Sequence, residues 1–240
     1  EFAEKRLRPG AAAWDEEEAL PPEVLAEAGR LGFFGLTVPE AYDGLGLDAV
    51  AVSAAMEELA RGSAAFQGTL SVHNTLACGA LARFGTEEQK RAWLPRLASG
   101  EVVGAYSLSE PGAGSDAGGI RCRAVLDGDA FVLDGEKSWV SNAGLAGLFV
   151  VFVSTNPALA SRGITGLLVE KGTPGFTVGK KERKMGLRAS DPRPLAFAKC
   201  RVPRANQLGS VGGGFRIAMA FEQRAAAFFK TSAMRTSAPP

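Results

Sequence analysis

The residues best suited to chemistry run from Tyr106 to Asp116: Tyr106-Ser107-Leu108-Ser109-Glu110-Pro111-Gly112-Ala113-Gly114-Ser115-Asp116. A strand-like run ends there in a loop with glycines, serine hydroxyls and carboxylates. Glycine has no Cβ, so backbone N–H groups can come close to a ligand. With hydroxyl donors added, such a loop suits a phosphate or the edge of an electron-rich ring; the same pattern also serves as a plain hairpin loop. A dinucleotide fingerprint fails on these residues. Gly112, Gly114 and Ala117 have its spacing, but Gly118-Gly119 and a strand pattern stand where a helix must receive the pyrophosphate. Gly212-Gly213-Gly214, ahead of a helical pattern, is a second anion-site candidate or a flexible helix entry.

The other reactive side chains are few. The chain has 1 His and 3 Cys among 240 residues. A His-rich metal site is excluded, no C-x-x-C pair exists, and no metal is expected. His73 lies in an apolar helical stretch and reads as a hydrogen-bonded core or cleft residue. Cys78 and Cys200 read as small core hydrophobes. Lys180-Lys181-Glu182-Arg183-Lys184 reads as a solvated strand end, with a contact to phosphates as the alternative.

Composition frames these residues. Apolar residues make up 46% and charged residues 22%, enough to bury a core. The length fits one or two domains. A net charge of +1 calls for neither nucleic acid nor an anionic membrane. The charged start Glu1-Phe2-Ala3-Glu4-Lys5-Arg6 is not a signal peptide, and no apolar run approaches the roughly 20 residues of a membrane helix. The expectation is a cytoplasmic protein, with the mitochondrial matrix as the alternative.

The elements that must position the loop change character along the chain. Residues 1–100 are predicted helical. One helix follows Pro21-Pro22 with Val24, Leu25, Ala28 and Leu31 on its face. A second, Leu47 to Ala60, has Val50, Ala54 and Leu59 inward. A third, Leu70 to Phe84, is apolar all round. A fourth starts at the capping box Thr86-Glu87-Glu88-Gln89. Residues 101–204 are predicted as eight short strands: Val102–Leu108, Arg121–Leu126, Ala130–Leu133, Lys137–Ser141, Leu148–Ser154, Ile164–Val169, Phe176–Lys180 and Leu195–Ala198. Asp127-Gly128-Asp129 and Asp134-Gly135 are read as hairpin turns. Without helices between them, the strands indicate an antiparallel barrel or sandwich. Residues 205–240 hold the start of one helix and an irregular tail.

Taken together, several segments resemble the acyl-CoA dehydrogenases. They are Tyr106 to Asp116, Glu136-Lys137-Ser138-Trp139-Val140-Ser141-Asn142, Met185-Gly186-Leu187-Arg188-Ala189-Ser190 and Arg201-Val202-Pro203. Val38-Pro39-Glu40 through Gly46 and Phe84 through Lys90 agree in order and spacing too. The resemblance implies an α+β chain: an N-terminal helical domain, an antiparallel β-barrel, and the start of a truncated C-terminal helical bundle. It implies FAD-dependent α,β-dehydrogenation of an acyl-CoA thioester, an electron-transfer flavoprotein or similar acceptor, and a homo-oligomer in the full-length family. Tyr106, Leu108, Ser109, Gly114 and Ser115 fall on flavin-contacting positions, as do Trp139 and Ser141; Ser115 also falls on a position that touches the CoA portion of the substrate. A non-catalytic short form that binds flavin or acyl-CoA, or a related flavin oxidase or monooxygenase, is the alternative.

The catalytic base is left unassigned. Most of the family carry it late in the bundle, and a minority just before an Arg at the bundle's start. Here that Arg is Arg224 and its neighbour Gln223 cannot ionise. Glu222 is the remaining candidate, about 100° away around a helix. The chain as written is therefore expected not to oxidise acyl-CoA at a normal rate.

Overall fold

A computed structural model describes residues 1–221. The first part is helical: α1 (Ala11–Glu16), α2 (Pro22–Arg30), α3 (Ala49–Gly62), α4 (Ala64–Ser71), α5 (Gly79–Phe84) and α6 (Glu87–Ala98). A π-helical segment, Val72–Cys78, makes α4 and α5 one continuous rod. Local chemistry fixes the starts. Asp48 and Ser63 accept the amides of Ala51 and Phe66 as N-caps. The capping box at Thr86 forms: Thr86 Oγ1 accepts from Gln89 N at 3.2 Å, and Gln89 Oε1 accepts from Thr86 N at 3.0 Å. The Gln89 amide then donates to Ala205 O at 2.7 Å and Gln207 O at 2.9 Å. A glutamate there could cap but could not make these bonds to the strand region.

The inward face of α3 differs from the expectation. Leu59 is buried as expected, but Val50 is 78% exposed and Ala54 is exposed, and Val52 and Met56 are buried in their place. Both sets have helical spacing, and alanines and valines on all sides leave the phase undetermined until the neighbours pack.

The described residues form eight strands, β1 (Gly104–Ser107), β2 (Arg123–Asp127), β3 (Ala130–Val140), β4 (Leu148–Ser154), β5 (Ile164–Glu170), β6 (Phe176–Val178), β7 (Arg193–Pro203) and β8 (Gln207–Leu208); β3 merges two of the expected strands and β8 is an additional one. They form one sheet in the order β6-β7-β3-β2-β4-β5-β8, with β1 beside β4. Two features correct the expected antiparallel barrel. First, β1 runs parallel to β4, Gly104 opposite Leu148 and Ser107 opposite Val151, and β2 meets β4 in parallel at Arg123 and Ser154. Residues 108–147, with the β2–β3 hairpin among them, form the crossover that a parallel neighbour requires. Second, the described pairing leaves β6 and β8 as ends, so the sheet is open.

The hairpin reading is half right. Asp127 pairs with Ala130 around Gly128-Asp129, with Gly128 at φ 63°, as a two-residue turn demands. Asp134-Gly135 is no turn: β3 runs through it as one strand paired with β7.

Strand β4 separates two cores. Leu148, Val150 and Phe152 face a cluster shared with α5, α6, Tyr106 and Leu108. Phe149, Val151 and Val153 face a cluster with Phe131, Leu133, Leu195 and Phe197. The loop after β1 thus leaves a strand layer packed on both faces. No helix of the described residues is long and apolar enough to cross a membrane.

Candidate functional site

The two motif segments meet. Ser138 N donates to Ser109 O at 2.9 Å. Lys137 Nζ donates to Leu108 O at 3.0 Å and to Glu110 Oε1 at 2.7 Å. The Glu110 carboxylate also accepts from Arg121 N at 2.6 Å and Cys122 N at 3.0 Å. Lys137 is fully buried and Glu110 nearly so. Burial pulls the Lys137 ammonium below the usual lysine range, and the Glu110 charge opposes that shift.

Trp139 owes its position to a β-bulge. Lys137 lies opposite Leu195 and Val140 opposite Arg193, so three steps on β3 match two on β7. In unbroken alternation Trp139 would share the inward phase of Leu133 and Lys137 and enter the core. The bulge turns it out: Trp139 is 62% exposed with φ 58°, while Val140 is buried. A bulky residue in the left-handed region is strained, and bulges re-aim side chains beside sites.

The remaining expected residues divide. Tyr106 is buried against Phe152, ring centroids 5.0 Å apart, and its hydroxyl donates to Ala218 O at 3.2 Å. Leu108 is buried in the helix-facing core. Ser109 and Ser141 are half-buried at the junction, and Gly114 and Ser115 are exposed on the loop. An added Cβ at Gly112 or Gly114 would meet nothing within 4 Å. No described hydrogen bond joins Gly114 or Ser115 to β3. Glu222, the base candidate, lies outside the described residues.

Three other readings can be placed. His73 is a buried, hydrogen-bonded core residue, and Cys78, Cys122 and Cys200 are buried free thiols. The lysine cluster is a solvated strand end only in part: Lys180 and Arg183 are exposed, and Lys181 and Lys184 are tied down. Lys181 Nζ donates to Glu18 O and Arg188 O, and Lys184 Nζ to Leu187 O and Ser190 O. Arg188 pairs with Asp15 at 3.1 Å. This loop is fastened to itself and to the N-terminal helices.

Sequence reading assigned no role to Glu110, Lys137 or Asn142. Asn142, at φ 65°, donates from Nδ2 to Thr69 O at 2.9 Å and Gly104 O at 3.2 Å, joining α4 to the start of β1. The legible signal was Lys137: it sits in phase with Phe131 and Leu133 along β3, and a lysine on an inward phase needs a buried partner.

The fold is thus a two-part α+β architecture, helices first and a mixed sheet after them, with the motif loop crossing from one side of β4 to the bulged strand. Residues 1–101 match the acyl-CoA dehydrogenase N-terminal domain and residues 105–200 the acyl-CoA dehydrogenase middle domain. The chain belongs to the acyl-CoA dehydrogenase family. It is 46% identical over 219 residues to the mitochondrial short-chain specific acyl-CoA dehydrogenase of Homo sapiens, covering 91% of this chain and 53% of that one. The crystal structure of an acyl-CoA dehydrogenase from Geobacillus kaustophilus matches with a TM-score of 0.92 at 37% identity, over 97% of this chain and 61% of that one. A glutaryl-CoA dehydrogenase from Mycobacterium smegmatis, solved in complex with FADH2, matches at 0.83 and 38% identity, over 89% and 54%. The chain spans about half the length of the curated relatives it matches.

Proposed function

We propose that this chain is the N-terminal and middle part of an FAD-dependent enzyme that dehydrogenates an acyl-CoA thioester between its α and β carbons. The supporting observation is the junction of Ser109 and Ser138, with the strained, exposed Trp139 beside it. A flat heteroaromatic ring with a polar edge fits that chemistry. Ser109 and Ser141 offer hydroxyls that make no hydrogen bond among the described residues, and Trp139 offers an apolar plane. Gly112 and Gly114 leave the loop backbone open to a ligand. Ser115, exposed on the same loop, is assigned to the CoA portion.

FAD, when bound, supplies the acceptor for two electrons as the Cα–Cβ bond becomes a double bond. The chain's part is to hold and shield. Ser109 and Ser141 orient the polar edge, Trp139 covers a face, and Tyr106 and Leu108 form the packed floor that fixes the loop's exit from β1. Removal of the α-proton needs a carboxylate within hydrogen-bond reach, and Glu222 is the candidate this chain offers. An electron-transfer flavoprotein as acceptor and a homo-oligomeric state complete the proposal.

The test is FAD titration followed by flavin fluorescence, with a dye-reduction assay on straight-chain and branched acyl-CoAs alongside. Ser109→Ala should weaken FAD binding by about 1 kcal/mol, the loss of one neutral hydrogen bond. FAD that fails to bind, or binds with indifference to Ser109 and Trp139, would overturn the reading.

A further inference from the structure

We propose that Glu110 and Lys137 are positioning residues: the pair closes the base of the 111–120 loop and holds it in register with the bulged strand, and so presents the loop to its ligand. The ligand part of this inference rests on the flavin reading above; the loop part does not.

Three observations carry it. One carboxylate grips both ends of the loop, because Glu110 begins it and accepts the amides of Arg121 and Cys122 at its far end, at 2.6 and 3.0 Å. Lys137 then joins that closed loop to β3 through Leu108 O at 3.0 Å and Glu110 Oε1 at 2.7 Å. The β1 ladder runs to β4, and the loop meets β3 through a main-chain bond, Ser138 N to Ser109 O at 2.9 Å. Finally, Lys137 is the last regular β3 residue before the bulge that turns Trp139 outward. The pair, together with the Ser138 N–Ser109 O bond, therefore fixes Ser109 and Trp139 relative to each other.

The chemistry separates positioning from plain stability. Apolar residues of equal volume often replace a buried ion pair without loss of stability. They cannot accept two backbone amides and donate to a carbonyl, so loop geometry is what the replacement loses.

The test uses the full chain carrying Glu110→Leu with Lys137→Met, which leaves no buried charge unpaired and no side-chain acceptor for the Arg121 and Cys122 amides. Three quantities are read: thermal unfolding, FAD dissociation constant, and the rate of trypsin cleavage after the exposed Arg121 without FAD. The expected result is a folded protein with FAD affinity at least tenfold weaker and cleavage after Arg121 several-fold faster. A folded variant with wild-type cleavage and FAD affinity within twofold would overturn the proposal. If the double variant does not fold, Glu110→Gln alone is measured in the same way; failure of both to fold would also overturn it, since the pair would then serve the fold and not the loop. A wild-type chain that binds no FAD would sink the flavin reading, and the cleavage rate would still decide whether the pair closes the loop.

Discussion

His73 in the helical region and Lys137 in the sheet are both fully withdrawn from water, and the two regions solve that problem differently. Gly104 N donates to His73 Nδ1 at 2.9 Å, which makes Nδ1 an acceptor and leaves Nε2–H to donate to Phe34 O at 3.1 Å. The ring is neutral, and burial lowers its pKa to about 4. Lys137 instead faces the Glu110 carboxylate. A lone buried base gives up its charge; a buried pair keeps two charges and must satisfy every remaining lone pair and proton. The helical region is therefore vulnerable to acid, and the sheet region to removal of one partner.

The largest effect should come from breaking the pair on one side. Lys137→Met leaves the Glu110 charge buried without its partner, a defect worth about 3–5 kcal/mol. For a chain of this size that lowers Tm by roughly 10 °C. Urea denaturation of the two single variants and the double gives the coupling directly, and the double should recover more than half of the loss. A single-variant loss below about 1 kcal/mol would mean that water reaches Glu110 and that the two regions differ less than their burial suggests.

His73 should produce the next effect, visible only in acid. Its native pKa of about 4 lies below the unfolded value of 6.5. Between those pH values the unfolded chain binds the extra proton, so stability rises with pH. The contribution is fully present above the unfolded value and is lost as pH falls towards the native one, about 3 kcal/mol in all. Urea denaturation at pH 7.5 and pH 4.5, for wild type and His73→Gln, isolates it from the carboxylates that titrate in the same range. An equal acid loss in both proteins would show that His73 is not the group responsible. Cys78 Sγ sits 3.3 Å from His73 Nε2, and burial pushes that thiol up, so it stays protonated across the window.

What could be read in advance follows range of interaction. The Thr86 capping box, the Gly128 turn and β4 are written in local spacing, and each formed where the sequence placed it. The inward face of α3 is not local: Val50 and Val52 are equal in hydrophobicity, and only the neighbouring helices choose between them. Asp134-Gly135 looks like a turn until β7 pairs alongside and carries the chain on as one strand across a register shift. The parallel β1–β4 pairing depends on a crossover whose ends are far apart in sequence. At the site, the residue types of the motif loop and of the Trp139 segment pointed to a ligand. The pair that joins the segments is 27 residues apart in the chain and had no local signature beyond a lysine on an inward phase. The bulge was illegible for the same reason, because it exists only as a register shift against β7.

That bulge allows the smallest and most discriminating test. At an ordinary strand position alanine is more stable than glycine, because glycine loses more backbone entropy on folding. At Trp139 the order should reverse. With φ at 58°, alanine keeps the left-handed strain of about 1–2 kcal/mol and glycine does not. Both substitutions remove the same exposed ring, so burial and ligand contact cancel between them. Trp139→Gly should therefore be more stable than Trp139→Ala by about 1 kcal/mol in the absence of FAD, read from denaturation midpoints at equal m-value. Both should lose flavin affinity to a similar degree. Alanine more stable than glycine would mean that the strand is regular at residue 139, and the ring would then belong in the core beside Lys137. Glycine more stable, with flavin affinity lost in both, would tie the strain at this one residue to the ring it holds outward.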